Sequence, residues 1–330
     1  MRILMSEVAA RAHGEALRAA HDGIELVTMG PDGSLRRGDG SNLEWDGSAI
    51  EVAWGTSDLF APGAPLRSFF GLLRRSETVR WFQSAAAGFD APIFAELVRK
   101  GILLTTSDAN SISIAEYVLR SVLEHFQRSA LWAEAQAERL WARHDFEEVS
   151  GSTWLVVGLG SIGTEVALRA RAFGAHVIGV RRHPGGDEPV AELITPDAID
   201  RVLPRADVVV LCAPASASTR HLVNRGFLDA MKRTALLVNV GRGSLVDEQA
   251  LAAALDAGAI GGAALDVFEV EPLPGDHPWW DDPRVVITPH NSAGGRGRHA
   301  RGADLFSENL ARYRRGEPLL RVVTEADLDG

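Results

Sequence analysis

Cysteine is almost absent: Cys212 is the one thiol among 330 residues. No intrachain disulfide can form, which fits a reducing compartment. Cys212 lies in the apolar run VVVLCA and reads as a small buried hydrophobe rather than a nucleophile. Lysine is scarce too. Only Lys100 and Lys232 occur, so local anion sites would be arginine sites. An excess of positive charge is also missing. The net charge of −10 argues against indiscriminate binding to nucleic acid or to an anionic membrane. No apolar run approaches the ~18 residues of a membrane span. The N-terminal MRILMSEVAA meets Glu7 before a signal-peptide core can develop. A cytoplasmic location is expected. No metal is expected either, since no ligand spacing for one occurs.

What is present is an ordinary globular composition, 46% apolar, on a chain long enough for two domains. In the first hundred residues, RILM, IELVTM, EVAWGT, VRWFQ and ILLTT read as strands. Helical patterns fall at Glu7–Ala20, Arg67–Arg75 and Ala91–Lys100, and the glycine-rich piece Gly30–Gly47 reads as an exposed excursion. A long helical pattern runs from Ser111 to Ala137, with Ala115, Val118, Leu119, Val122, Leu123 and Phe126 on one face. A second strand–helix series follows: TWLVVG, HVIGV, DVVVLCA, ALLVNVG, GGAALDVF and RVVITPH. Such alternation predicts an α/β class with two doubly wound parallel-sheet domains. The last helical stretch, Gly297 to Arg315, would return to the first domain and make it discontinuous.

VVGLGSIG contains Gly158, Gly160 and Gly163 in the pattern G-x-G-x-x-G, after an apolar strand and before an amphipathic helix. That context makes it a candidate dinucleotide turn. Gly158 would allow the tight turn, Gly160 a close backbone approach to a pyrophosphate, and Gly163 close helix–strand packing. The amides of Ser161 and Ile162 would face phosphate oxygens from a helix N-terminus.

From Asn110 to His290 the chain resembles the D-isomer-specific 2-hydroxyacid dehydrogenases, the group that includes glyoxylate/hydroxypyruvate reductases. The matching segments are ANSISIAEYVL, VVGLGSIGTEVA, LCAPASASTRHLVN, LLVNVGRGSLVDEQAL, ALDVFEVEPLP and VVITPH, with a looser match at SAAAGFD. The resemblance implies a flavodoxin-like substrate domain from 1–107 and 291–330, and a Rossmann NAD(P)-binding domain over 108–290. A cleft would lie between them.

It also implies roles. Arg242, in NVGRGSL, would clamp a substrate carboxylate through a charge-assisted fork, with Gly241 and Gly243 leaving room for ligand. His290, after the strand VVIT, would exchange a proton with the carbonyl oxygen. Glu271 would stabilise the protonated ring and orient it, with Glu269 as a decoy two residues earlier. Asp266 would contact the nicotinamide carboxamide, and Ala213, Pro214, Thr219 and Val240 would line the dinucleotide. Ala86, Ala87 and Gly88 would offer amides to the substrate carboxylate, and Asn110 would begin the hinge helix. Arg296 is a candidate substrate contact; a solvated arginine at a helix start is the plain alternative. Trp141 is a candidate for reaching a partner's site in a homodimer, with plain packing as the alternative. Trp279 and Trp280 read as packing residues.

An acidic residue about 20 residues past the glycine turn usually holds the ribose hydroxyls. Here Arg181 and Arg182 follow the strand HVIGV, and Asp187 and Glu188 lie beyond a Pro-Gly-Gly loop, poorly placed to substitute. An arginine attracts a 2′-phosphate and offers a hydroxyl no acceptor, so NADP(H) is expected over NAD(H). The expected activity is reduction of a small 2-oxo acid to the D-2-hydroxy acid. The alternative is a dinucleotide-binding corepressor of the same fold without significant turnover.

Overall fold

The computed structural model describes residues 1–44, 50–61, 63–183 and 185–328. The last residues of the Gly30–Gly47 excursion, and Pro184, lie outside the described residues.

The chain opens with β1 (Arg2–Ser6), α1 (Glu7–Ala20), β2 (Glu25–Met29), β3 (Leu35–Arg36), β4 (Val52–Gly55), α2 (Leu66–Arg75), β5 (Trp81–Ser84), α3 (Pro92–Arg99) and β6 (Leu103–Thr105). Then come α4 (Ser111–Gln127), α5 (Ser129–Ala137), β7 (Thr153–Val157), α6 (Ser161–Ala172), β8 (His176–Val180), β9 (Glu192–Ile194), α7 (Ile199–Val202), β10 (Val208–Leu211), α8 (Arg225–Ala230), β11 (Leu236–Asn239), α9 (Glu248–Asp256), β12 (Gly262–Leu265) and β13 (Val285–Ile287). It closes with α10 (Arg298–Arg315), β14 (Val322–Val323) and α11 (Glu325–Leu328). These elements form two compact units, Met1–Asn110 with Arg296–Gly330, and Ser111–Gly295. The junctions fall a few residues later than the sequence-based boundaries.

The first unit is built on a seven-stranded sheet ordered β14-β6-β5-β4-β1-β2-β3. Its parallel centre, β2-β1-β4-β5-β6, has the flavodoxin-like order. The edge strands β3 and β14 pair antiparallel. Each is only two residues long, too short to leave a run in the sequence. The Ser6 hydroxyl accepts from the Ala9 amide at 2.9 Å and caps α1. On one face, Phe306 of α10 stacks on Trp54 at 4.4 Å and on Trp81 at 5.2 Å, with all three rings buried.

The second unit has a seven-stranded sheet ordered β13-β12-β11-β10-β7-β8-β9, with every pairing parallel. Counting from β7, this is the Rossmann order with one further strand at the β12 edge. Val208, Val209, Val210 and Leu211 of central β10 are all fully buried, as a strand covered on both faces requires. Helix α4 packs against α6.

The single long helix expected over 111–137 is two helices. Arg128 adopts φ 50°, in the left-handed region, and ends α4. The apolar stripe runs out at Phe126, and α5 buries no residue. Without a packed face, nothing holds the backbone in one continuous helix.

Candidate active site

In doubly wound sheets, ligands sit beyond the carboxyl ends of the strands, where the strand order reverses. In the second unit that reversal lies between β7 and β10. Gly158 follows β7 with φ +96°, and a Cβ there would stand 2.7 Å from the Ala213 amide nitrogen after β10. A Cβ on Gly163 would stand 2.0 Å from the Gly158 carbonyl oxygen. Any side chain at either position would force strand, loop and helix apart. Gly160 differs: no described atom lies within 4 Å of where its Cβ would be. It is the N-cap of α6 and supplies no side-chain cap. The first amides of α6, including those of Ser161 and Ile162, therefore have no intrahelical acceptor. An uncapped helix N-terminus beneath open space fits a pyrophosphate.

The neighbouring strand ends supply the other candidate positions. Ala213 and Val240 are buried. The Thr219 hydroxyl staples its own loop, donating to the Pro214 carbonyl at 2.8 Å and accepting from the Ser216 amide at 2.8 Å. Cys212 packs against the apolar cluster under the sheet, and burial pushes its thiol up to about 12.

Arg181 and Arg182 follow β8 and are exposed. Glu188 has a role that the sequence did not suggest: its carboxylate receives Arg181 Nη1 at 2.9 Å. It also accepts from the amides of Gly185 at 2.6 Å and Gly186 at 2.8 Å. Gly186, at φ +98°, helps turn the loop back on itself. These hydrogen bonds hold the Glu188 carboxyl below its usual range, the Gly185 amide being the largest cause.

Arg242, Asp266 and His290 follow three adjacent strands, β11, β12 and β13. Asn239 braces the Arg242 loop, accepting from the Gly241 amide at 3.1 Å and donating to the Arg242 carbonyl at 2.9 Å. Arg242 Nη1 donates to the Gly241 carbonyl at 2.7 Å. The expectation that Gly243 leaves room for ligand is also corrected. A Cβ there would lie 1.9 Å from the carbonyl carbon of Phe268, so the chain's own backbone fills the space.

Asp266 is 1% exposed. Its carboxylate receives the Thr288 hydroxyl at 2.6 Å, the Asn291 amide at 2.8 Å, the Ser292 amide at 3.0 Å and the Ser292 hydroxyl at 2.5 Å. It is the anchor of the loop that carries His290, whose own amide donates to the Asp266 carbonyl at 2.8 Å. A nicotinamide carboxamide would have to share an oxygen already engaged.

His290 has φ 50°, a left-handed conformation that the hydrogen bonds of this loop hold in place. Its Nδ1 lies 2.8 Å from Glu271 Oε2, and Glu271 Oε1 accepts from the Phe268 amide at 3.0 Å. The ring is half exposed, and Nε2 has no hydrogen bond among the described residues. Glu269 turns elsewhere, to His221 Nε2 at 2.7 Å. Strand β12 ends at Leu265, so strand alternation does not extend to residues 269 and 271. This second histidine–glutamate pair was not anticipated, because the His221 and Glu269 segments are far apart in the sequence.

In the first unit, Ala86–Gly88 follow β5. The Ala86 amide donates to Ser84 Oγ at 3.1 Å, while the Ala87 and Gly88 amides have no acceptor among the described residues. Asn110 donates to the Ala85 carbonyl at 3.4 Å. Arg296 is exposed just ahead of α10. In the second unit, Trp141 is 91% exposed beyond α5. Trp279 is buried against Phe268 and His277, whereas Trp280 is half exposed and donates to the Pro274 carbonyl.

The family profile described as "D-isomer specific 2-hydroxyacid dehydrogenase, NAD binding domain" matches residues 119–292. The chain belongs to the D-isomer-specific 2-hydroxyacid dehydrogenase family. A D-3-phosphoglycerate dehydrogenase of Methanocaldococcus jannaschii is 36% identical over 259 residues, covering 76% of this chain and 49% of that protein. The match thus spans about half the length of that relative. A family member from Xanthobacter autotrophicus Py2, solved in complex with NADPH and MES, is 31% identical with a TM-score of 0.77, covering 98% of this chain and 97% of that one. An NADPH-dependent glyoxylate/hydroxypyruvate reductase from Sinorhizobium meliloti, solved with NADP and sulfate, is 26% identical with a TM-score of 0.78. That similarity covers 99% of this chain and 98% of the reductase. No helix among the described residues is long and apolar enough to cross a membrane.

Proposed function

We propose that this chain is an NADP(H)-preferring oxidoreductase that reduces a small 2-oxo acid of the glyoxylate or hydroxypyruvate type to the D-2-hydroxy acid. One observation carries the proposal: His290 is held on one side by Glu271 while its Nε2 is left open, beyond the strand next to the one that leads to Asp266. A histidine fixed by a carboxylate on one nitrogen presents the other to a reacting oxygen.

The turn Gly158–Gly163, with the amides of Ser161 and Ile162, would hold the pyrophosphate, and Arg181 and Arg182 the adenosine ribose. Ala213, Pro214, Thr219 and Val240 would border the dinucleotide, and Asp266 would keep the His290 loop at its nicotinamide end. When bound, the dinucleotide supplies a hydride to the substrate's carbonyl carbon. Arg242 would draw in the substrate carboxylate through its planar fork. Arg296 is a further candidate contact. His290 delivers its proton from Nε2 to the oxygen that was the carbonyl, and Glu271 stabilises the ring while it is charged. In the reverse direction the neutral ring takes that proton back.

The cofactor preference rests on the arginines after β8 and on the NADPH and NADP bound in the two solved relatives. The exposed Trp141 supports a homodimer in which this side chain reaches the partner's site.

The test is a spectrophotometric panel of glyoxylate, hydroxypyruvate and pyruvate with each cofactor. We expect oxidation of NADPH, with kcat/KM above that for NADH. Binding of dinucleotide without turnover of any 2-oxo acid would overturn the enzymatic reading in favour of a regulatory one. A NADPH-to-NADH ratio at or below one would overturn the cofactor assignment.

A further inference from the structure

We propose that Glu188 tunes the cofactor preference by acting as an internal anion on the guanidinium that would meet a 2′-phosphate. The inference rests on the dinucleotide reading above and deepens it. A phosphate monoester is recognised by a guanidinium fork together with backbone amides. Both kinds of donor are assembled after β8: the Arg181 guanidinium and the amides of Gly185 and Gly186. All of them already serve one carboxylate. Glu188 Oε1 accepts from the Gly185 amide at 2.6 Å and from Arg181 Nη1 at 2.9 Å, and Oε2 accepts from the Gly186 amide at 2.8 Å.

Exposure separates the two partners. The Glu188 side chain is 4% exposed and that of Arg181 45% exposed. The carboxylate is therefore tucked beneath the loop, while the outer part of the guanidinium faces solvent. The root of Arg181 is fixed, since its amide donates to the Ile194 carbonyl at 3.0 Å. A 2′-phosphate arriving at Arg181 meets a guanidinium whose charge is largely answered, with a like-charged carboxylate directly behind it. It must share Arg181 or displace Glu188, and either costs affinity. A ribose bearing a free 2′-hydroxyl pays no such penalty. Glu188 thus tempers the selectivity that Arg181 and Arg182 create, and the wild-type chain retains use of NADH beside its preference for NADPH.

The test measures dissociation constants of NADPH, NADH, adenosine 2′,5′-bisphosphate and 5′-AMP on the full chain, for wild type and Glu188→Gln. Removing the charge should tighten NADPH and the bisphosphate by about tenfold, the scale of one charge-assisted contact. NADH and 5′-AMP should change less than about twofold, within the scatter expected when no contact is lost or gained. In an Arg181→Ala background the gain should vanish. Glu188→Ala, which removes the carboxylate outright, should shift selectivity in the same direction, so the test does not depend on one variant folding. Weaker NADPH binding in Glu188→Gln would mean that Glu188 positions Arg181 instead, and would overturn the inference, as would unchanged selectivity. If the wild-type chain binds neither dinucleotide, the functional reading itself fails. If it binds and turns over NADPH but both Glu188 variants leave the ratio unchanged, only this inference fails.

Discussion

Glu271 Oε2 lies 2.8 Å from Nδ1 of His290, and the other Glu271 oxygen is tied to the Phe268 amide. The carboxylate is therefore fixed in place before it orients the ring. Replacing His290 by alanine should lower kcat by roughly 10²–10⁴-fold, the usual worth of a positioned acid/base group. Glu271→Gln should lose less and should alter the pH–rate profile. Cofactor affinity, followed by fluorescence, should be unchanged in both. Turnover near wild type in His290→Ala would sink the acid/base assignment.

Arg242 and lysine carry the same charge but not the same shape. Arg242→Lys keeps a positive group in the loop braced by Asn239 and removes the planar fork. The 2-oxo acid should then show a KM raised about tenfold or more, since a bidentate charge-assisted contact is reduced to a point charge. NADPH binding should stay as in wild type. Unaltered kinetics would remove Arg242 from the site.

Asp266 is a buried carboxylate whose donors all come from residues 288–292. Asp266→Ala would strand the Asn291 amide and the Ser292 amide and hydroxyl without their acceptor, while the Thr288 hydroxyl keeps the Tyr117 hydroxyl as a partner. We expect a loss of roughly 2–4 kcal/mol in urea unfolding, the scale of buried polar groups left unsatisfied. Activity should fall with it, because the His290 loop loses its anchor. A variant as stable as wild type would show that the network contributes little.

Acid stability offers a separate check, away from the site. Glu192 sits between the Arg205 guanidinium and His176, and these hydrogen bonds, that of Arg205 foremost, lower its carboxyl from 4.5 to about 2. A carboxylate depressed on folding stabilises the folded state above its unfolded value, and that contribution disappears as the pH falls through the folded one. Wild-type Tm should therefore fall between pH 4.5 and about 2. Glu192→Gln should show a shallower fall over the same window. The group is about one-third exposed, so the difference should be modest. Identical acid limbs would remove Glu192 as a contributor.

Much of the fold was legible because its central strands are covered on both faces. Val208–Leu211 is the clearest case: all four side chains are buried, and all four are apolar. The glycine turn was legible through motif context, and the Glu271–His290 pair through the resemblance to the family. The break at Arg128 was not, since SALWAEAQA keeps good helix formers and only tertiary burial separates it from α4. The contact of Glu188 with Arg181 was not legible for a related reason: separation along the chain is a poor guide once Gly186 turns the loop back on itself. The pairing of His221 with Glu269 joins two separate loops, and neither local pattern encodes it.

The Phe306 ring, stacked on Trp54 and Trp81, has a consequence for how the chain is made. The aromatic face of the first sheet is synthesised early, but its cover belongs to α10, nearly two hundred residues after β6. Until the ribosome has passed that point, Trp54 and Trp81 lack their stacking partner, and β6 lacks the edge strand β14. The intervening unit, whose sheet uses only residues between 153 and 287, can close meanwhile. Assembly on the ribosome should therefore run from the middle outward, with a nascent first unit dependent on chaperones until its last helix arrives.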